Sequence, residues 1–157
     1  MAKYMNKIYL AGSCSKEERG HMEEIAAALR EKGYEVYCPF ELKIPNAWDY
    51  SQEEWSKMVF DKDIAAIDEC DFMILMSKGR NSTAGTNWEQ GYAYAKGKDI
   101  FVFQYTKEET SLMTYCGCKY FTSLPFFTKS AELIANFPYN EFRKEERGLN
   151  PCMTILT

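Results

Sequence analysis

Histidine is almost absent from this chain, which carries a single one, His21, within an apparent helix. Ser-His and Cys-His pairs are therefore excluded as nucleophilic centres unless His21 itself serves, and we interpret it as a surface residue. Two glycine patterns typical of phosphate-binding loops are also missing, since neither a Walker sequence nor a dinucleotide-binding pattern occurs. These absences exclude several common catalytic and nucleotide-binding motifs.

Long apolar runs and excess positive charge are absent as well. No run approaches the roughly 20 apolar residues that span a bilayer, and the stretch 1–7 lacks the apolar core of a signal peptide. The net charge of -4 provides no general attraction to nucleic acid or to anionic membranes. We expect a cytoplasmic protein whose partners include neither a nucleic acid polymer nor a membrane.

The cysteines lack the spacing of a disulfide framework, so we expect reduced thiols. Cys116-x-Cys118 beside one histidine is a poor metal signature, and we expect no metal and no cofactor. Cys14 could be a reactive thiol at a helix start, which is a minor alternative. The six positions are Cys14, Cys38, Cys70, Cys116, Cys118 and Cys152.

Short apolar strands alternate with helical patterns along the chain, which at 157 residues is long enough for one domain. This alternation predicts an α/β fold with a single doubly wound, flavodoxin- or Rossmann-like sheet. We expect five parallel strands in the order 2-1-3-4-5 with helices on both faces. The core should span about 7–138 and the tail 139–157. The predicted strands are 7–11, 35–38, 72–76, 100–105 and 120–122.

Several local patterns place the helices and loops. Ser15-x-x-Glu18 and Ser51-x-x-Glu54 are capping-box signals for two helix starts. We expect a loop at 40–50 whose Trp48 lines the pocket, irregular structure at 106–119, and a last helix at 130–136. In the tail, the charge run 143–147 should be a solvated face, and the apolar end 153–156 should dock on the body or on a neighbour.

The segment from Ser82 to Ala93 follows the third strand, and open parallel sheets bind ligands at the carboxyl ends of their strands. Glu89 should therefore lie at the rim of a pocket. Thr86-x-x-Glu89 also fits a capping box, which would make Glu89 structural. Alternatively, a helix start favours an ionised carboxylate, which suits a nucleophile or a base. Spacing alone leaves both interpretations open. A stripe on the same helix should be core: Trp88, Gly91, Tyr92 and Ala95.

A second carboxylate stands out on the preceding helix. At about 100° per residue, its apolar residues share one face, and Asp63 lies near the middle of that face. Burying a lone carboxylate is costly, so Asp63 should have a partner or open onto a polar cavity. Both remain possible. The apolar residues of this face are Trp55, Val59, Phe60, Ala66 and Ile67.

Several segments, in order, resemble the nucleoside 2-deoxyribosyltransferase family over about residues 7–138. In that family a glutamate attacks the anomeric carbon of a 2-deoxyribosyl group, and the resemblance assigns this role to Glu89. It implies that Tyr9 orients Glu89 by a hydrogen bond. Asp63 would hold the base and help to protonate it, a role that suits a raised pKa. The matching segments are 8–13, 63–71, 85–93, 111–113 and 130–138.

Two departures from the transferases point to a related branch, the 2'-deoxynucleoside 5'-monophosphate N-hydrolases. Thr83 replaces a family aspartate, and Ser111 replaces an asparagine that a neighbouring subunit supplies. That branch has serines at both places and a third matching Ser13. The resemblance therefore implies a hydroxyl cradle for a 5'-phosphate, although these could also be ordinary loop hydroxyls. Backbone donors near Gly12 and Gly85 would complete the substrate site.

We expect an enzyme that cleaves the N-glycosidic bond of 2'-deoxynucleosides or their 5'-monophosphates, with water as the preferred acceptor. The first alternative is a transferase that exchanges bases. The second is a nucleotide-binding module without catalysis, with Glu89 as a capping residue. Because the family implies that Ser111 comes from a neighbouring chain, we expect at least a homodimer.

Overall fold

A computed structural model describes residues 7–124 and 130–142 of the chain. Five parallel strands form one sheet in the order β2-β1-β3-β4-β5. The fold class, strand number and order predicted from the sequence are confirmed. The strands are β1 (Lys7–Ala11), β2 (Glu35–Tyr37), β3 (Phe72–Ser77), β4 (Asp99–Gln104) and β5 (Tyr120–Ser123).

Helices connect the strands on both faces of the sheet. Short 3-10 turns at Pro39–Glu41, Ala47–Asp49 and Gly79–Asn81 lie in the loops. The α-helices are α1 (Lys16–Glu31), α2 (Gln52–Glu69), α3 (Ala84–Ala95), α4 (Leu112–Cys116), α5 (Ser130–Ala135) and α6 (Tyr139–Phe142).

Of the two predicted capping boxes, one forms. Ser51 accepts from the Glu54 backbone while the Glu54 carboxylate accepts from the Ser51 backbone, so α2 begins as predicted. Ser15 precedes α1, but its hydroxyl donates to the Glu18 carboxylate at 3.1 Å and, in this described segment, caps no backbone amide. The Glu18 carboxylate instead pairs with the Lys78 ammonium group.

The sheet has two buried faces, as a parallel sheet requires. On one face, Ile8, Leu10 and their neighbours pack against α1 and α5. On the other, Tyr9 and Met73 pack against Ile67 of α2 and Ala93 of α3. All six residues of β3 are buried, so the centre of the sheet is the centre of the core.

The core extends one residue beyond its predicted end. Tyr139 is 1% exposed and stacks on Phe72 with ring centroids 4.8 Å apart, while its hydroxyl donates to the Ile134 carbonyl. It therefore belongs to the core and not to the tail. The charge run 143–147 and the apolar end 153–156 lie outside the described residues.

Three local expectations are wrong. Within Gln52–Glu69, Ile67 is the one buried residue, and Phe60 and Trp55 of the predicted apolar face are exposed. In α3 the buried residues are Thr86, Gln90 and Ala93, so the stripe through Trp88 is not core. The stretch 106–119 is not wholly irregular, since it contains α4.

Candidate active site

Glu89 lies in the second turn of α3, because this helix begins earlier than its sequence suggested. Thr83 is the capping residue, and its hydroxyl oxygen accepts from the Thr86 backbone amide at 3.2 Å. The capping-box interpretation of Thr86-x-x-Glu89 is therefore wrong. Glu89 is the sixth helical residue, beyond the first turn where the helix dipole acts most strongly, and its side chain is free for another role.

A buried tyrosine on the face of the sheet that packs against α2 and α3 contacts Glu89. Tyr9 lies in β1 with no exposed surface, and its hydroxyl donates a hydrogen bond to the Glu89 carboxylate. Burial and the neighbouring carboxylates raise the pKa of Tyr9 above its usual range, so its hydroxyl stays protonated and remains a donor. The predicted pairing of these two side chains is present.

Asp63 has a matching partner that the sequence did not indicate. The Tyr37 hydroxyl donates to Asp63 Oδ1 at 2.7 Å. Tyr37 is the residue paired with Tyr9 in the β1–β2 register, and the two rings stack with centroids 5.4 Å apart at 22°. One signal in the sequence could have found it: Tyr9 and Tyr37 hold corresponding positions in adjacent predicted strands.

The pKa values of both carboxyl groups are raised, and the charge of Asp63 contributes to the shift of Glu89. Burial raises the pKa of Glu89 to about 7, the negative charge of Asp63 raises it as well, and the Tyr9 hydrogen bond partly offsets both effects. Burial also raises the pKa of Asp63, opposed by its hydrogen bond from Tyr37. The raised pKa expected for Asp63 is present. The expectation that a helix start keeps Glu89 ionised is wrong, because burial has the largest effect on its pKa and raises it.

Both carboxyl groups line one cavity of about 250 Å³ between α2 and α3. Its walls are partly aromatic. Phe60 is 51% and Trp88 50% exposed, and the centroids of their rings are 5.3 Å apart. A mostly apolar cleft with a small number of polar groups is typical of a small-molecule site. The cavity is lined by Phe60, Asp63, Ile64, Ile67, Gly85, Trp88 and Glu89.

The two predicted glycines serve the site differently. A Cβ on Gly12 would lie 2.8 Å from Met22 Cε and 3.2 Å from Met76 Cβ, so this glycine permits close packing of the loop after β1. A Cβ on Gly85 would meet no atom within 4 Å, because Gly85 faces the cavity. Gly85 therefore leaves room beside Glu89.

The three hydroxyls predicted to form a phosphate cradle do not share one cavity. Ser13 bonds to the carboxylate of Glu18 and accepts from the Ser15 backbone amide. Thr83 caps α3 and bonds to the Thr86 hydroxyl at 2.8 Å. Ser111 lines a separate cavity of about 370 Å³ between α3 and α4. Within the described chain, Ser111 therefore belongs to a different pocket from Glu89.

Two further expectations concern the surroundings of the site. Trp48 is 84% exposed and lines a groove with Tyr50 and Trp55, away from the residues that line the Glu89 cavity. Cys14 has exposed surface, but partial desolvation of its thiol and the charges of Glu89 and Asp63 raise its pKa. A thiolate is therefore disfavoured at Cys14, which argues against a nucleophilic role.

Metal-site clusters and membrane-spanning helices are both absent from the described ranges. In residues 7–124 and 130–142, no group of three or more His, Cys, Asp or Glu side chains has the arrangement of a metal site. Five cysteines of this part of the chain are free thiols. None of its helices is long and apolar enough to cross a bilayer.

A doubly wound sheet with two tyrosine-bonded carboxyl groups in one cavity has the features of an enzyme for small molecules. The model of the nucleoside 2-deoxyribosyltransferase family matches residues 8–149, and the chain belongs to this family. It is therefore an enzyme of a family that acts on N-glycosidic bonds. A comparison with curated protein sequences gives no match.

Solved structures agree with this family. A 2-deoxyribosyltransferase from Bacillus psychrosaccharolyticus is 25% identical, with a TM-score of 0.72 over 87% of this chain and 95% of that one. A CMP N-glycosidase from Clostridium botulinum is also 25% identical, with a TM-score of 0.59 over 82% and 97%. A conserved protein from Enterococcus faecalis V583, 17% identical with a TM-score of 0.58 over 83% and 98%, shares the fold.

Proposed function

We propose that this enzyme cleaves the N-glycosidic bond of 2'-deoxynucleoside 5'-monophosphates, with Glu89 as the nucleophile and water as the acceptor. The observation that carries the proposal is the cavity in which Glu89 and Asp63 stand together, each bonded to one of two stacked tyrosines. Enzymes that cleave glycosidic bonds through a covalent intermediate usually have two carboxyl groups positioned at the scissile bond.

In the first step, a Glu89 oxygen forms a bond to C1' of the deoxyribosyl group while the bond from C1' to the base nitrogen breaks. The Tyr9 hydroxyl bonds to the Glu89 carboxylate and orients it. A positive charge develops on the sugar ring in the transition state, and this charge favours the anionic form of Glu89 that burial otherwise disfavours.

Asp63 acts on the departing base. Its carboxyl group lines the same cavity and supplies a proton to the base, for which a raised pKa is suited. Tyr37 fixes the orientation of this group through its 2.7 Å hydrogen bond. In the second step, water attacks C1', the Glu89 ester is released, and Asp63 takes the proton from the water.

Two features favour a phosphorylated substrate and water. Thr83 stands where the transferases of the family have an aspartate, so no carboxylate at that position repels a 5'-phosphate. One similar structure is a CMP N-glycosidase, whose substrate is a nucleoside monophosphate. Because another similar structure is a 2-deoxyribosyltransferase, base exchange is the second candidate for the function of this enzyme.

We further propose that the active unit is at least a homodimer. Ser111 lines a cavity other than that of Glu89, so it can serve this chemistry only from a second copy of the chain. The surface around it is apolar and exposed: Met113 is 79% and Leu112 58% exposed. An apolar face of this kind is typical of a protein–protein interface.

Product analysis tests the chemistry. Incubation with a panel of deoxynucleotides should release free base and deoxyribose 5-phosphate, read by chromatography, and Glu89→Ala should abolish the release. Equal turnover of unphosphorylated nucleosides, with exchange when a second base is added, would instead identify a transferase. Calorimetric binding of deoxynucleotides without product after long incubation would identify a binding module.

Mixing two inactive variants tests the dimer. Ser111→Asp should repel the 5'-phosphate, and Glu89→Ala lacks the nucleophile. If Ser111 acts from a neighbouring chain, each mixed dimer contains one complete site, and mixing restores activity. If Ser111 acts within its own chain, every site stays defective and mixing restores nothing.

A further inference from the structure

Glu18, in the first turn of α1, makes a set of contacts that the chemistry above does not use. Its carboxylate pairs with the Lys78 ammonium group, and their side chains are 12% and 26% exposed. It also accepts hydrogen bonds from the hydroxyls of Ser13, Ser15 and Tyr105. One ammonium and three hydroxyl groups thus converge on a single anionic group.

This cluster lies where the fold places a ligand. Ser13 follows β1 and Lys78 follows β3, and these strands are neighbours in the sheet. In an open sheet with the order 2-1-3-4-5, the β1/β3 junction is the point where successive connections leave to opposite faces and where ligands bind. Strand β1 connects the cluster to the active site, since Tyr9 of this strand bonds to Glu89 and Ser13 lies four residues further along the chain.

The donors that surround Glu18 are those that a phosphate group needs. A phosphate monoester offers several acceptor oxygens and a charge near -2, and lysine and serine side chains are common phosphate ligands. The start of the 16-residue helix α1 adds a favourable field for an anion. Burial raises the pKa of Glu18, but the hydrogen bonds from Lys78 and Ser13 outweigh it, so the pKa lies below its usual range. The cluster therefore stabilises negative charge.

We propose that Lys78 binds the 5'-phosphate of the substrate and that the Glu18 carboxylate occupies this place in the free enzyme. This inference rests on the proposed function, which it extends by assigning the residue that selects phosphorylated substrates. The incoming phosphate takes over the contacts of Lys78 and Ser13, and Glu18 turns outward from the first turn of α1. Phosphate recognition is thus an exchange of one anion for another.

The ratio of kcat/KM for a deoxynucleotide to kcat/KM for the corresponding deoxynucleoside measures this selection. Lys78→Gln should lower the ratio by about 10- to 100-fold, the range expected for one lost charge-assisted contact. Glu18→Gln should raise it, because phosphate no longer displaces a charged competitor. The exposed pair Lys57–Asp61, with Nζ and Oδ2 2.7 Å apart, provides the matched control, and Lys57→Gln should leave the ratio unchanged.

Lys78→Gln alone leaves Glu18 without its cation and could impair folding. The double variant Lys78→Gln/Glu18→Gln removes both charges at nearly constant volume and should have a ratio as low as Lys78→Gln. If Lys78→Gln and the double variant keep the wild-type ratio, the pair is a structural ion pair, and the proposal is wrong. If the double variant exceeds the wild-type ratio, Glu18 serves to exclude phosphate, and the proposal is wrong as well.

A binding experiment separates this proposal from the proposed function. Calorimetric titration with inorganic phosphate should show binding to the wild-type protein and no binding to the double variant. This result is expected whether or not the enzyme turns over any nucleotide. Phosphate binding that depends on Lys78, without N-glycosidic cleavage, contradicts the proposed function alone. Deoxynucleotide cleavage without any dependence on Lys78 in ratio or binding contradicts this inference alone.

Discussion

Tyr9 and Tyr37 lie opposite each other in the β1–β2 ladder, stack at 5.4 Å, and each donates its hydroxyl group to one of the two carboxyl groups of the site. The arrangement follows from strand register, since paired residues of parallel strands project from the same face of the sheet. Two neighbouring strands thus orient the groups supplied by two different helices, Glu89 from α3 and Asp63 from α2.

Removing the Tyr37 hydroxyl tests whether it positions Asp63. Tyr37→Phe keeps the ring stack and loses the 2.7 Å bond to Asp63. We expect kcat to fall about 10-fold, in line with one lost hydrogen bond to a charged group, with little change in KM. The pKa of Asp63 should rise further, because this bond lowers it, so the limb of the pH profile that reports Asp63 should move to higher pH. A lower kcat with an unmoved limb would indicate a purely structural role.

The acid limb of the pH–rate profile should report the ionisation of Glu89. Because the pKa of Glu89 is raised to about 7, activity should increase as pH rises through this value. Asp63→Asn removes a charge that raises this pKa and should shift the limb to lower pH. Tyr9→Phe removes a hydrogen bond that lowers it and should shift the limb to higher pH. The apparent pKa of this limb belongs to the pair of carboxyl groups and not to one residue alone. If both variants shift the limb in the same direction, the assignment of the limb to Glu89 is wrong.

Glu89 should also reduce the stability of the free enzyme at neutral pH. Its pKa is about 7 when folded and 4.5 in the reference state, so the folded protein binds more protons between these values and stability falls as pH rises. Glu89→Gln removes this loss and should stabilise the protein at pH 8 by on the order of 3 kcal/mol, but hardly at pH 4. Denaturant unfolding at both pH values measures the difference. An equal effect at both would contradict the raised pKa.

Much of this architecture could be predicted from the sequence because it depends on short-range patterns. Buried runs such as Phe72–Ser77 specify strands, and their alternation with helices specifies a parallel sheet. The positions of Glu89 and Asp63 followed from helix periodicity and from the family resemblance. The start of α3 could not be predicted in this way, because Thr83 and Thr86 are both acceptable capping residues. The tertiary packing that buries Thr86 decides in favour of Thr83.

Long-range contacts were the part that sequence patterns could not supply. Tyr37 bonds to Asp63 across 26 positions, and Lys78 pairs with Glu18 across the β1/β3 junction. Periodicity also overstated the core of α2 and α3, because it detects apolar faces without showing what covers them. Phe60 and Trp88 remain exposed for this reason and line the cavity instead.

Gly12 should be intolerant of a side chain for packing reasons. In Gly12→Ala the new methyl group would meet Met22 Cε at 2.8 Å and Met76 Cβ at 3.2 Å. Because Met22 Cε is the flexible end of its side chain and can move aside, we expect a loss of only about 1 kcal/mol in the free energy of unfolding, measured by denaturant titration. Met22→Ala should cost stability by itself but relieve part of this clash, so the double variant should lose less than the sum of the two. Gly85→Ala, at a position with open space around the added carbon, is the control and should stay close to wild-type stability.

Cys14 offers a chemical probe of the charge in the site. Its pKa is raised by burial and then by the negative charges of Glu89 and Asp63, so its alkylation at pH 8 should be slow. In Asp63→Asn and in Glu89→Gln one of these charges is absent, the pKa of Cys14 falls, and alkylation should become faster because the thiolate is the reacting form. Peptide mass spectrometry measures the rate at Cys14, with exposed Cys116 as the internal reference. An unchanged rate at Cys14 in both variants would contradict an influence of these two charges on the thiol.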